Sequence, residues 1–163
     1  MRIAVVTGNP KPASRTHNVA LAVAGALGSP SVVVDLAEHA AGLFDWSEPS
    51  LSRLTEEVAA ADVAIFASPT YKAAYTGMLK AFLDRYGSNG LAGVVAVPVM
   101  TGGWAGHSLA VEVHLRPVLV ELGATVPSRG LYVTEPELAA DLDAAVGKWG
   151  TAAVPLIHRA LAR

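Results

Sequence analysis

The chain has 163 residues, 52% of them apolar and only 16% charged, with a mean hydropathy of +0.41. That length favours one domain spanning residues 1–163, and the composition excludes disorder. Twelve basic against 14 acidic residues leave a net charge of −2 and there is no cysteine, which argues against a nucleic-acid partner and excludes thiol chemistry, disulfides and Cys-based metal centres.

Any redox chemistry must therefore come from a cofactor. No apolar run approaches the roughly 18 to 20 residues of a spanning helix. Met1-Arg2 leads straight into a short apolar run that ends at Gly8-Asn9-Pro10, unlike a signal peptide, so a cytoplasmic protein with no membrane association is expected.

In chain order, residues 2–6 form a short continuous apolar run, and 16–27 read as a helix. A second run, 31–35, precedes a helix at 51–60, and a third, 62–67, precedes one at 76–86. The run 93–99 precedes a helix at 106–122, and a shorter fifth strand is expected at 130–133. The last helix is the clearest, with Leu138, Leu142, Ala145, Trp149, Ala152, Leu156 and Ala160 recurring at three and four. The strands are continuously apolar rather than alternating, as a parallel sheet covered on both faces requires. The pattern predicts an α/β fold, a flavodoxin-like doubly wound five-stranded parallel sheet of order 2-1-3-4-5 with helices on both faces. Ligands of such sheets bind beyond the carboxyl ends of the strands, at the switch point between strands 1 and 3.

Three loops lie at that edge. Residues 7–18 crowd Asn9, Lys11, Ser14, Arg15, Thr16 and Asn18 around one helix N-terminus. Unpaired N–H groups and the helix dipole favour an anion there, and phosphate is the natural ligand. The loop has neither the Gly-Lys-Ser/Thr of a Walker A motif nor GxGxxG. The alternative makes Ser14 or Thr16 a simple N-cap, with Lys11 and Arg15 solvated. Residues 68–77 hold Tyr71 and Tyr75, two of only ten aromatic residues, which points to something flat lying against the edge; capping and subunit packing are the alternative, above all for Tyr75. Residues 100–107 combine Thr101, Gly102 and Gly103 with Trp104, so backbone amides can approach a ligand closely. Together these loops describe a site for a mononucleotide with a planar head.

The run 68–84, with its Pro69-Thr70-Tyr71-Lys72-Ala73-Ala74-Tyr75-Thr76-Gly77-Met78-Leu79-Lys80 core, the stretch 7–18, and Gly102-Gly103 followed by 107–119 resemble the NAD(P)H-dependent FMN reductase family of flavodoxin-like proteins. Within it, the likeness is greatest to the reductase component of alkanesulfonate-type two-component monooxygenases. The resemblance implies an oxidoreductase that transfers hydride from NADH or NADPH to FMN and supplies reduced flavin to a monooxygenase, as a homodimer or tetramer. It implies that Asn9, Lys11, Ser14, Thr16 and Asn18 hold the FMN phosphate. Pro69, Thr70 and Tyr71 would line the ribityl chain and isoalloxazine, and Thr101, Gly102 and Gly103 the pyrimidine end. Many relatives carry Ser at position 9 and Arg at position 11; Lys11 grips phosphate as a point charge, without Arg's two-pronged geometry.

Pro117 frees the Val113 carbonyl, so the helix should bend or bulge there. In the resembling reductases this region carries a one-turn π-bulge whose tyrosine falls on Val113, beside His114. Hydride passes between two cofactors, so no catalytic side chain is assigned. There is no GxSxG or HExxH motif. His107 and His114, seven apart, could share a helix face, but packing or flavin contact outweighs metal ligation. Glu56, Glu57, Asp141 and Asp143 read as solvated helix faces, His17 as exposed or near phosphate, and Trp149 as core. Two rival functions are an FMN-bound quinone, azo-compound or metal-oxyanion reductase, and a flavodoxin-like electron carrier, the latter weakened by the small net charge.

Overall fold

In the computed structural model, which describes residues 1–162, five strands form one parallel sheet of order β2-β1-β3-β4-β5. They are β1 (Ile3–Thr7), β2 (Val32–Asp35), β3 (Val63–Pro69), β4 (Val95–Gly102) and β5 (Leu131–Thr134). The helices are α1 (Arg15–Gly25), α2 (Pro49–Ala59), α3 (Gly77–Leu83), α4 (Arg116–Glu121), α5 (Glu135–Ala140) and α6 (Leu142–Leu161). The expected fold class and strand order are both found.

Every residue of β1 and β3 is buried, as is all of β4 but its last. Side chains still alternate, but between two cores rather than between core and water. Ala4, Val6, Ala64, Phe66, Ala96 and Met100 pack on one face with Leu51 of α2, Leu79 and Phe82 of α3, and Leu119 of α4. Ile3, Val5, Val63, Ile65, Val97 and Val99 pack on the other with Val19 and Val23 of α1 and Val146 and Ile157 of α6. The apolar surplus of the composition is thus spent on two cores around a three-strand centre.

Two helical stretches differ from the expected continuous helices. Residues 138–160 are not one helix: Asp141, at φ −166°, ends α5 and caps α6, its carboxylate accepting from the Ala144 N–H at 2.9 Å. The apolar spacing runs unbroken across the junction because α5 and α6 both lean on the sheet, so periodicity alone hid the break. Asp141 therefore has a structural task that its reading as a solvated helix face left out.

The region 106–122 is three short helices in succession: a 3-10 turn (Ala105–His107), a π-helix (Val111–Leu115) and α4. The bulge expected from Pro117 is present. The Arg116 N–H reaches the Val111 carbonyl five residues back, and Pro117 lies in the first two positions of a fresh α-helix, where its missing N–H leaves no bond unmade. The Glu112 carboxylate accepts from the Gly130 N–H (2.6 Å) and Arg116 (3.2 Å). Arg116 in turn donates to the carbonyls of Val126 (2.6 Å) and Ser128 (2.7 Å), tying the π-turn to the chain entering β5. Val113 and His114 face solvent.

Candidate functional site

The connections leaving β1 and β3 run in opposite directions at the carboxyl edge of the sheet, β1 toward β2 on one side of the β1/β3 pair and β3 toward β4 on the other. Into that gap opens a cavity of about 320 Å³. All eleven residues expected to hold the cofactor line it: Asn9, Lys11, Ser14, Thr16 and Asn18 from the first loop and α1, Pro69, Thr70 and Tyr71 after β3, and Thr101, Gly102 and Gly103 after β4.

The first loop is built by its own polar side chains. Asn9 Oδ1 accepts from the Lys11 N–H at 2.9 Å, closing a tight turn, and its Nδ2 donates to Thr16 Oγ1 at 3.2 Å. The hydroxyls of Thr16 and Thr101 lie 2.8 Å apart, linking the first loop to the end of β4. Ser14 is the N-cap of α1, its Oγ accepting from the His17 N–H at 3.2 Å. The capping alternative is therefore realised for Ser14 and not for Thr16, and it leaves the Ser14 hydroxyl proton free to donate. Helix geometry leaves the N–H groups of Arg15 and Thr16 without intrahelical partners at the same end. Ala13, at φ 48°, is held in the left-handed region by its N–H bond to Asp35 Oδ2 (2.9 Å).

His17 turns away from this cavity and lies half-buried. Its Nδ1 is 3.0 Å from Thr7 Oγ1 and 4.0 Å from Asp35 Oδ2, so the expected phosphate contact or simple exposure is replaced by a bracket between β1 and β2.

The second loop is a miniature hairpin. Tyr71 and Ala74 exchange backbone hydrogen bonds at 2.9 and 3.1 Å, with Lys72 (φ 51°) and Ala73 (φ 65°) both left-handed. Two consecutive non-glycine residues in that region carry strain, held here by the surrounding bonds. The hairpin presents Tyr71 half-exposed at the cavity and turns Tyr75 inward against the core beneath α3. Thr76 then caps α3 and donates to the Gly8 carbonyl at 2.6 Å. At Gly8 an added Cβ would lie 2.5 Å from the Leu79 Cβ, so the first loop and α3 touch without room for a side chain. The Thr70 hydroxyl is buried with no hydrogen-bond partner among the described residues. A buried hydroxyl left unpaired is destabilising unless a ligand or water satisfies it.

In the third loop Trp104 is exposed, packs edge-on against His107 at 5.1 Å, and accepts the Tyr132 hydroxyl on its carbonyl at 3.0 Å. His107 and His114 do not share a helix face, since the helix type changes between them. Among the described residues no cluster of three or more His, Asp or Glu side chains gathers.

Four lining residues had not been assigned: Ala13, Arg15, Glu135 and Leu138. Arg15 stood in plain sight in the first loop. Glu135 follows the carboxyl end of β5, an edge position the 2-1-3-4-5 order already implied, and its partner is 120 residues away: Arg15 Nη2 donates to Glu135 Oε1 at 2.6 Å.

A larger cavity, about 590 Å³, lies beside β5 between the π-helix and α6. Trp149 sits in its wall, half-buried rather than fully in the core, with Nε1 donating to the Arg129 carbonyl at 2.9 Å. It takes no residue from the loops after β1 and β3. Each cavity has one buried hydroxyl without a partner among the described residues, Ser128 in the larger and Thr70 in the smaller. Size favours the larger, whereas the N–H groups opening α1 and the cations Lys11 and Arg15 converge on the smaller and suit it to an anionic ligand.

A parallel 2-1-3-4-5 sheet with a polar, amide-lined cleft at the β1/β3 switch point defines a flavodoxin-like chain with a site of mononucleotide character. Residues 1–137 match the family model described as NADPH-dependent FMN reductase, and the chain belongs to that family. It is 40% identical over 93 residues to an FMN reductase (NADPH) of Escherichia coli (strain K12), covering 57% of this chain and 49% of the relative. The NADH-dependent FMN reductase SfnF of Pseudomonas putida is 30% identical over 144 residues, 82% of this chain and 77% of that one. The chain thus spans about half the length of the first of these relatives. Among solved structures, the apo form of an NADH:FMN oxidoreductase (EMOB) superposes with a TM-score of 0.78 at 30% identity, covering 92% of this chain and 88% of the other.

The site fits FMN on its own terms. It offers N–H donors and two cations at one end, an unpaired buried hydroxyl at Thr70, and a half-exposed tyrosine at the rim.

Proposed function

We propose that the chain is an NAD(P)H-dependent FMN reductase, a single FMN-binding domain that passes a hydride from a nicotinamide to FMN. The observation that carries this reading is the gathering of all eleven expected residues around one cavity that also contains the unpaired Thr70 hydroxyl. FMN would supply the electron-accepting ring: NAD(P)H gives up a hydride, two electrons and a proton, and solvent gives the second proton.

The chain's own part is to bind and orient. Ser14 O–H and the N–H groups opening α1 meet the phosphate, with Lys11 and Arg15 supplying positive charge. Thr70 donates to the ribityl chain, Tyr71 lies against the ring, and the backbone of Gly102 and Gly103 meets its polar edge. Asn9 and Thr16 act mainly by holding the loop in shape, since their side chains already bond to neighbours.

Reduced flavin would leave for a flavin-dependent monooxygenase, the role implied by the sequence's resemblance to the reductase component of alkanesulfonate-type systems. No helix of the described residues is long and apolar enough to cross a membrane, in keeping with work in the cytoplasm. Leu109, Val113 and Val120 are exposed apolar side chains on and beside the π-helix and α4, and they would be covered in a homodimer or tetramer.

Steady-state NAD(P)H oxidation against FMN, FAD and riboflavin tests the reading. A rate that rises with FMN is expected; the absence of any FMN-dependent rate would overturn it.

A further inference from the structure

Resting on the FMN reading above, we propose that Glu135 is a built-in competitor for the flavin phosphate. It pairs with Arg15 in competition with the phosphate and so weakens the grip on FMN, keeping the flavin exchangeable.

Glu135 supplies the one carboxylate among the residues lining the 320 Å³ cavity. Its Oε1 accepts from Arg15 Nη2 at 2.6 Å, and both side chains are largely exposed at the mouth. Arg15 is also the first residue of α1, at the positive end where the phosphate reading places the anion. One guanidinium therefore faces two anionic claimants, a resident carboxylate and an incoming phosphate. An exposed ion pair of this kind is weak and screened by salt, so phosphate can displace the carboxylate. The displaced carboxylate then remains beside a phosphate of like charge. Both effects lower FMN affinity and leave riboflavin, which has no phosphate, untouched.

Apart from a first-turn negative charge at α5, a position it shares with Glu137, Glu135 has no further hydrogen bond or ion pair among the described residues. The capping box at the start of α5 belongs to Thr134 and Glu137, so removing the Glu135 charge leaves the helix start intact. The other cation of the loop, Lys11, makes no ion pair among the described residues, so the competition falls on Arg15 alone.

The test is equilibrium titration of flavin fluorescence with FMN and with riboflavin, on wild type, Glu135→Gln, Arg15→Gln and the double variant, at low and high salt. Thermal melts confirm folding. Glu135→Gln is expected to tighten FMN about two- to fivefold at low salt, the scale of one exposed charge interaction, with no change for riboflavin. Arg15→Gln weakens FMN. On the Arg15→Gln background the gain from Glu135→Gln falls by at least half.

Weaker FMN binding by Glu135→Gln would overturn the proposal, because Glu135 would then be orienting Arg15 for the phosphate. So would an equal shift for both flavins, or a gain undiminished without Arg15. If folded wild type and variants all fail to bind FMN, the FMN reading itself falls. If wild type binds FMN but Glu135→Gln changes nothing, only the competition falls.

Discussion

Two cavities of this chain, the one beside β5 and the one at the carboxyl edge of the sheet, differ in kind more than in size. The one beside β5, at about 590 Å³, pairs Glu112 with Gly130 and Arg116 and Trp149 with Arg129, and holds one buried hydroxyl without a partner among the described residues, that of Ser128. The one at the carboxyl edge, at about 320 Å³, is smaller but leaves groups unanswered, namely the Thr70 hydroxyl, the Ser14 proton and the N–H groups that open α1. The comparison teaches that volume identifies room, while convergent N–H groups and cations identify the kind of ligand a cavity can hold.

The comparison breaks most visibly at two glycines. At Gly8 a Cβ would meet the Leu79 Cβ at 2.5 Å, and at Gly130 it would meet Val111 Cγ2 at 2.5 Å and the Pro98 carbonyl oxygen at 2.9 Å. Each alanine substitution is expected to destabilise by about 2–3 kcal/mol through overpacking, measured by denaturant unfolding. FMN affinity should fall beyond that loss for Gly8→Ala alone, since only Gly8 shapes the phosphate loop. An equal effect of both on affinity would erase the distinction between the cavities.

Next in size, Ser14→Ala combined with Lys11→Ala should weaken FMN by about 1.5–3 kcal/mol, roughly ten- to a hundredfold, through loss of charge-assisted donors. Riboflavin should change far less, and equal losses for the two flavins would remove the phosphate from this loop. A control in the larger cavity sharpens the same contrast. Trp149→Phe deletes the bond to the Arg129 carbonyl and should lower stability by about 1 kcal/mol, leaving FMN binding unchanged in the same titration.

The smallest effect is a pH dependence near β5. Backbone and side-chain bonds from Thr134 hold the Glu137 carboxyl below its ordinary range. A carboxylate depressed in the folded state contributes stability at pH values above its unfolded pKa, and that contribution disappears as pH falls through the lower folded value. Asp45 and Glu48 are held low in the same way by Ser47 and Ser50, so thermal melts across the acid range should show a loss that is smaller in Glu137→Gln than in wild type. FMN binding at neutral pH should be the same in both, since Glu137 lines only the larger cavity.

Much of this was legible before any coordinates. Continuous apolar runs could only be strands buried on both faces, and five of them with helices between left few arrangements. Strand order then named the edge, and the loops at that edge named their residues. What escaped had physical reasons. The break at Asp141 was masked because apolar spacing continues across it, and only the extended backbone there reveals two helices. The π-turn was signalled by Pro117, but its anchoring through Glu112 and Arg116 to residues 126–130 depends on tertiary contact. Glu135 was missed for the same reason, since nothing local in its surroundings points to Arg15, 120 residues earlier. The left-handed Lys72 and Ala73 went unseen because neither residue type advertises that conformation.

The central claim is that the smaller cavity, where the N–H groups opening α1 meet Lys11 and Arg15, holds the flavin phosphate. A crystal structure of the chain with FMN tests it most directly. The phosphate should lie at the N-terminus of α1, within hydrogen-bond reach of Ser14 Oγ and the Thr16 N–H, with the ring toward Tyr71 and Gly103. Flavin lying instead in the cavity beside Trp149, with the α1 N-terminus left to solvent, would contradict the account.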